Sequence, residues 1–310
     1  MRLRGNSRLF RQVISDENLT EAWHRVRSQR SKTAGVDGVT LEQFQRHLFR
    51  EMRKLQLELE TGRYEPQPAK LAHIPKRKGG ERPIAILTVR DRVAQWAVLN
   101  VVGPILDMDF EDTSFGYRPG RSPDMALERV AQLANDGLTW AVHLDIEDCF
   151  GNIPVHRLYR IIRRKIRDRR ICALIHRWLH LETVQVRGRG VVHRKRHHGL
   201  LQGSPLSPLF ANLYLDQLDK MARKKRLQMV RYADDILVLC RTRPEAEEAL
   251  KLVHKFLLAL GLRLNPAKTS ISKLEEGFSF LGGTLGYRPG DKNGPWVPLF
   301  PKGDGHDIRD

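Results

Sequence analysis

The sequence predicts an α+β fold whose core is a split βαβ sheet. Three observations predict it. Trp140 to Ile146 (WAVHLDI) and Met229 to Cys240 are short apolar runs of strand type, with a stretch of helical periodicity between them. The second run is interrupted by Arg231-Tyr232-Ala233-Asp234-Asp235, so Gln228 to Tyr232 and Ile236 to Cys240 read as a hairpin with the acidic pair at or near its turn. A further helical stretch, Glu245 to Leu260, follows and is closed by Gly261. Strand, helix, hairpin, helix and a further strand give the split βαβ order.

The remaining elements follow along the chain. Residues 1–33 are polar and basic, with a short helix expected around Asn18 to Arg27. Leu41, Phe44, Leu48, Met52, Leu55 and Leu59 recur every three or four residues and predict one helix, ended by Gly62 and Pro66. Leu71 to Ile74 and Pro83 to Thr88 predict two strands joined by a Lys/Arg/Gly turn. Asp91 to Leu106 and Pro123 to Asn135 read as helices. Arg157 to Arg170 puts Leu158, Ile161, Ile162 and Ile166 on one side and Arg or Lys nearly everywhere else. That pattern reads as a solvated helical face or as a face for a phosphate backbone. Arg187 to His198, with Gly188, Gly190 and flanking valines, predicts a turn or hairpin. Ser207 to Lys220 carries Leu209, Phe210, Leu213 and Leu218 at helical spacing, with Pro205 and Pro208 near its start. From residue 286 the chain is rich in Gly, Pro, Asp and Lys and reads as a loosely ordered tail.

A chain of 310 residues can bury a substantial core. Its 54 basic and 36 acidic residues give a net charge of +18, which points to a polyanionic partner. No stretch reaches the roughly 18 apolar residues needed to span a bilayer, and the basic N-terminus lacks the apolar core of a signal peptide, so no membrane role and a cytoplasmic place are expected. Cys149, Cys172 and Cys240 are odd in number and far apart, which argues against a disulfide framework or zinc knuckle and for buried thiols. His193, His197 and His198 lack the neighbours of a metal site.

The chemistry is concentrated in the carboxylates. Adjacent Asp234 and Asp235 repel each other unless a cation binds; a solvated Asp-Asp turn is the plainer reading of that segment alone. The strand ending at Asp145-Ile146-Glu147-Asp148 offers a second acidic wall. Brought together, such walls suit Mg²⁺, which takes hard oxygen ligands beside substrate phosphate.

Tyr232-Ala233-Asp234-Asp235, with the upstream Asp145 and Phe150, resembles motifs C and A of reverse transcriptases. The resemblance continues in order through other blocks. Ala34-Gly35-Val36-Asp37-Gly38-Val39-Thr40 resembles the N-terminal block of group II intron reverse transcriptases. Ile74-Pro75-Lys76, Glu81-Arg82-Pro83-Ile84 and Asp91-Arg92-Val93-Ala94-Gln95 resemble their fingers motifs, and Ser114 to Ser122 (SFGYRPGRS) the next block. Gly199 to Leu209 (GLLQGSPLSPL) resembles motif B, Gly261 to Thr269 (GLRLNPAKT) motif D, and Phe280-Leu281-Gly282 the block after it. The match runs from about Ala34 to Gly283, and the ordered set is far more specific than any one block.

The resemblance implies a right-hand polymerase with an N-terminal extension and fingers in 1–139, a palm with fingers inserts in 140–285, and a tail in 286–310. It implies that Asp145, Asp234 and Asp235 hold two Mg²⁺ ions, Mn²⁺ substituting, with Ile146 adding a backbone carbonyl. Glu147 and Asp148 read as solvated acids. Lys268 is implied as a general acid for the leaving pyrophosphate. Lys76 and Arg82 would bind the incoming dNTP's triphosphate, and Gln202 would lie near the nucleotide. Phe150, five positions after Asp145, would sit under the sugar and exclude a 2′-hydroxyl. Gly203, Ser204, Pro205 and Tyr232 would contact template or primer.

The expected function is RNA-directed DNA synthesis, extending a DNA or RNA primer on an RNA template. Because the chain ends at Asp310, soon after Leu281, the helical thumb of intron-encoded relatives is expected to be absent. A stand-alone enzyme of CRISPR adaptation or antiviral defence, with a protein partner supplying thumb or defence function, is therefore one reading; a truncated retroelement protein is another. An idle RNA-binding protein that keeps the fold and a template-independent terminal transferase are the remaining alternatives.

Overall fold

The computed structural model describes residues 7–29, 32–75, 80–187, 190–194, 198–276, 278–286 and 294–299. It divides into two compact units: Met1–Asp109 with Ile153–Phe210, and Phe110–Asn152 with Ala211–Asp310. Residues 110–139 fall in the unit that carries Asp145, Asp234 and Asp235. No helix among the described residues is long and apolar enough to cross a membrane.

In the first unit, α1 (Arg8–Val13), α2 (Asp16–Ser28), α3 (Leu41–Arg46) and α4 (Leu48–Thr61) precede β1 (Ala69–Pro75), β2 (Glu81–Ile86) and α5 (Val89–Asp107). Local chemistry sets their ends. Ser7, Ser15, Thr40 and Thr88 each accept a hydrogen bond from a backbone N–H of the helix they open, and Thr40 with Gln43 completes a capping box. Gly62 closes α4 in the left-handed region, with φ 74°. The helix expected over Leu41–Leu59 is interrupted at His47, yet Leu41, Phe44, Leu55 and Leu59 are all buried, so the apolar periodicity survives the break.

The second half of this unit corrects the sequence reading. Arg157–Arg170 is two helices, α8 (Val155–Lys165) and α9 (Arg169–Leu179). Between them Asp168 accepts bonds from the backbone N–H groups of Arg170 and Ile171, opening a new helix instead of continuing the old one. Strands β4 (Thr183–Arg187) and β5 (Gly190–Arg194) follow as the expected hairpin. The sheet order is β2-β1-β4-β5, with β1 antiparallel to β2 and parallel to β4.

In the second unit, α6 (Pro123–Asn135) leads to β3 (Trp140–Asp145) and the short helix α7 (Cys149–Asn152). After α10 (Ser207–Lys224), within which the unit boundary falls, come β6 (Gln228–Tyr232), β7 (Asp235–Cys240), α11 (Arg243–Leu260) and β8 (Ser270–Lys273). The sheet order is β6-β7-β3-β8, antiparallel throughout. Read as β3-α10-β6-β7-α11-β8, this is the split βαβ, ferredoxin-like arrangement that the sequence predicts. Period-two alternation divides the strands. Ala141, Val230, Leu237 and Leu239 face a core shared with Ala126, Leu127, Val130 and Ala134 of α6 and with Phe278 and Phe280. Within the expected tail, β10 (Val297–Leu299) pairs antiparallel with β9 (Thr284–Gly286), and Asn135 exchanges two hydrogen bonds with the Trp296 backbone.

Candidate active site

The site belongs to the second unit and is built by strand register. Asp145, the last residue of β3, lies directly opposite Asp235, the first of β7. Residues directly opposite in an antiparallel pair share a face, with Cα atoms about 4.5–5.5 Å apart. Tyr232 pairs with Asp235, which leaves Ala233 and Asp234 as a two-residue hairpin turn. Ala233 has φ 56° and Asp234 is not among the positive-φ residues, the sign pattern of a II′ turn without its usual glycine. Three carboxylates are thus delivered to one end of the sheet.

Their electrostatics are unfavourable without a cation. Burial pushes the Asp234 carboxyl above its ordinary value; its own backbone N–H opposes this, and Asp235 and Asp145 push it higher. Like charges directly opposite each other destabilise a strand pair. In the structure, two nearby side chains contact them. Lys268 donates from Nζ to Asp145 Oδ1 at 2.9 Å, and His143 Nε2 lies 3.2 Å from Asp235 Oδ1. As the side chains are turned, no group of three His, Cys, Asp or Glu that could hold a metal forms among the described residues. The register nevertheless supplies the all-oxygen donor set that Mg²⁺ takes, so the residues fit the ion.

Backbone bonds place the lysine. Asn265 donates its N–H to the Asp145 carbonyl at 2.8 Å, Glu147 donates to Arg263 at 2.9 Å, and Ile146 bridges Leu264. The segment carrying Lys268 is thereby zipped onto the end of β3. Ile146 is buried and Phe150, on α7, is half-buried.

Beneath the turn is a network that the sequence reading missed. Arg231 is 0% exposed, and its guanidinium is fully engaged. It donates to both carboxylate oxygens of Asp219, to Asn212 Oδ1 at 2.9 Å, to Ser114 Oγ at 2.8 Å and to the carbonyl of Ala233 at 2.9 Å. Burial pushes Asp219 above its ordinary value against the pull of this guanidinium. The fork therefore ties the carboxylate-bearing turn to α10 and to the 114 segment. An arginine between Val230 and Tyr232, inside a short apolar strand, is the signal the sequence offers.

The other sequence-derived residues lie in the first unit. Arg82 is exposed on β2, opposite Ile74. Lys76 lies outside the described residues. Gln202 accepts at its carbonyl from Ala85 N–H at 2.7 Å, and Ser204 Oγ donates to Gln95 Oε1 at 2.6 Å. Gly203 has φ 101°, and a β-carbon there would stand 2.4 Å from the Ala85 carbonyl. The close approach seen at this glycine is by the chain's own β2. Pro205 is half-buried, and Tyr232, in the second unit, packs against the α6 core. The three cysteines are buried and free, as expected.

Comparison with known proteins agrees with this geometry. The family model described as "Reverse transcriptase (RNA-dependent DNA polymerase)" matches residues 74–285. Protein YkfC of Escherichia coli (strain K12) is 32% identical over 318 residues, covering 90% of this chain and 82% of that protein. Group II intron-encoded protein LtrA of Lactococcus lactis subsp. cremoris is 32% identical over 247 residues, covering 78% of this chain but 39% of LtrA. Among solved structures, telomerase from Candida albicans in complex with a fragment of telomeric RNA superposes with TM-score 0.55 at 14% identity, covering 82% of this chain and 50% of that one, a likeness of fold. With a carboxylate-tipped hairpin in a split βαβ sheet and a family match over most of its length, the chain belongs to the reverse transcriptases, RNA-directed DNA polymerases, in the lineage of the group II intron-encoded proteins.

Proposed function

We propose that this chain extends a primer's 3′-hydroxyl with deoxynucleotides on an RNA template, using the Asp145, Asp234 and Asp235 carboxylates as the metal-holding centre. The observation that carries the reading is the register of Asp145 against Asp235, with Asp234 in the intervening turn. Mg²⁺ held there, or Mn²⁺ in its place, would activate the attacking hydroxyl and neutralise the leaving pyrophosphate. The chain's own residues supply the rest. Lys268, which bonds Asp145 in the structure, gives a proton to the departing pyrophosphate. Phe150 excludes a 2′-hydroxyl by occupying its space. Arg82, with Lys76, takes the triphosphate through charge-assisted bonds. Gln202 serves the incoming nucleotide, and Gly203, Ser204, Pro205 and Tyr232 serve template and primer.

The test is primer extension on poly(rA)/oligo(dT) by Asp234→Asn. The neutral amide is a poor Mg²⁺ ligand, so extension should disappear while RNA affinity stays near wild type. Extension at the wild-type rate would end this reading.

A further inference from the structure

We propose that Tyr117 is a stacking platform for the terminal nucleotide of the primer, an inference that rests on the polymerase reading of the neighbouring carboxylates. The segment that carries Tyr117 is bonded to β6. Arg231 donates its backbone N–H to Thr113, and Phe115 donates to Arg231, both at 2.8 Å, so Ser114 runs parallel to β6 as an added edge. One residue later the chain touches the turn itself. A β-carbon on Gly116 would stand 2.4 Å from Ala233 N, so only glycine allows that approach, and Asn212 Nδ2 fixes the Gly116 carbonyl at 2.7 Å. Tyr117 is the next residue.

Its backbone is strained. Tyr117 has φ 56°, a region in which an aromatic side chain is a true outlier. The surrounding loop holds it there. Arg118 is buried, donates to the carbonyls of Glu111 and Ser114 at 2.8 and 3.0 Å, and lies over Phe110. Arg121 donates to Asp112 and lies over Phe115. The strain does not serve to bury the ring, because Tyr117 is 50% exposed. A strained, rigidly supported and half-exposed aromatic is a feature of binding sites rather than of cores.

The ligand follows from position. The reacting 3′-hydroxyl must come to the turn that bears Asp234, and Tyr117 stands one residue from the contact with that turn. The nearest planar face a primer offers is its terminal base. Stacking on a tyrosine ring accepts any of the four bases, as a polymerase requires.

The experiment compares Tyr117→Phe, Tyr117→Ala and Tyr117→Gly. Primer–template affinity is read by fluorescence anisotropy in EDTA without dNTP, with KM, kcat and the melting temperature measured alongside. Phe should bind as wild type. Ala and Gly should weaken binding and raise KM for primer–template on the order of tenfold, with kcat changed less. Gly should melt no lower than wild type, since it relieves the strained φ, which separates ring loss from unfolding. A primer with an abasic 3′ terminus should bind more weakly to wild type and show no further loss with Tyr117→Ala. Ala and Gly variants that bind and extend as wild type would overturn the proposal, as would independent losses from the abasic primer and the variant. Neither outcome bears on Asp234→Asn, whose continued activity would instead sink the polymerase reading.

Discussion

Arginine serves opposite ends in two regions of this protein. Under the carboxylate-bearing turn, Arg231 is wholly buried and its donors are spent on Asp219, Asn212, Ser114 and Ala233. On α8, Arg160, Arg163 and Arg164 are exposed and line, with His156 and Tyr159, a shallow concavity. The buried arginine has a carboxylate built for it and fixes geometry. The exposed ones crowd like charges along a helix, which disfavours the bare surface and favours a polyanion. Inside, a charge acts through directed bonds that salt barely screens; outside, it acts through a field that salt removes. The same side chain thus contributes precision in one place and affinity in the other.

The largest expected effect breaks the buried side of that comparison. Arg231→Met leaves Asp219 buried without its partner and should cost about 3–5 kcal/mol in denaturant unfolding, with loss of extension. Adding Asp219→Leu should restore much of the stability but not the extension rate, because the Ala233 carbonyl still lacks its donor. A double variant that extends normally would show that the pair only balances charge.

Phe150 tests a middle case, a half-buried side chain on α7, just after β3. Phe150→Ala opens space beneath the ribose. The ratio of dGTP to GTP incorporation efficiencies should fall by roughly 10–100-fold, with deoxynucleotide incorporation retained at a reduced rate. An unmoved ratio makes Phe150 a packing residue.

The smallest effect sharpens the exposed side. Replacing Arg160, Arg163 and Arg164 with Gln should leave unfolding within about 0.5 kcal/mol of wild type. The slope of log K against log [salt] for single-stranded RNA should shrink by about 2, at roughly 0.7 per lost phosphate contact. An unchanged slope means these charges only face water.

Much of this architecture was legible in local sequence. Short apolar runs located β3, β6 and β7, and the Asp234-Asp235 pair that interrupts the second located the turn. Helix ends followed from Gly62 and Gly261. The reading failed where a polar residue competed with periodicity. Asp168 looked like one more residue of a basic helix, yet its carboxylate caps α9. Nor does any local pattern state that α6 packs its apolar face on the carboxylate sheet.

The sequence by itself determined the strand order's raw material, the hairpin, the identity of the acidic residues and the family, since these depend on period, turn chemistry and ordered motifs within a few residues. Only the tertiary structure decided what surrounds them. Arg231 meets Ser114 across 117 positions, Lys268 meets Asp145 across 123, and Gly116 brings Tyr117 to the turn. Each contact arises from packing between distant segments, and its free energy exists only once the sheet has closed. No local preference of those residues encodes it in advance.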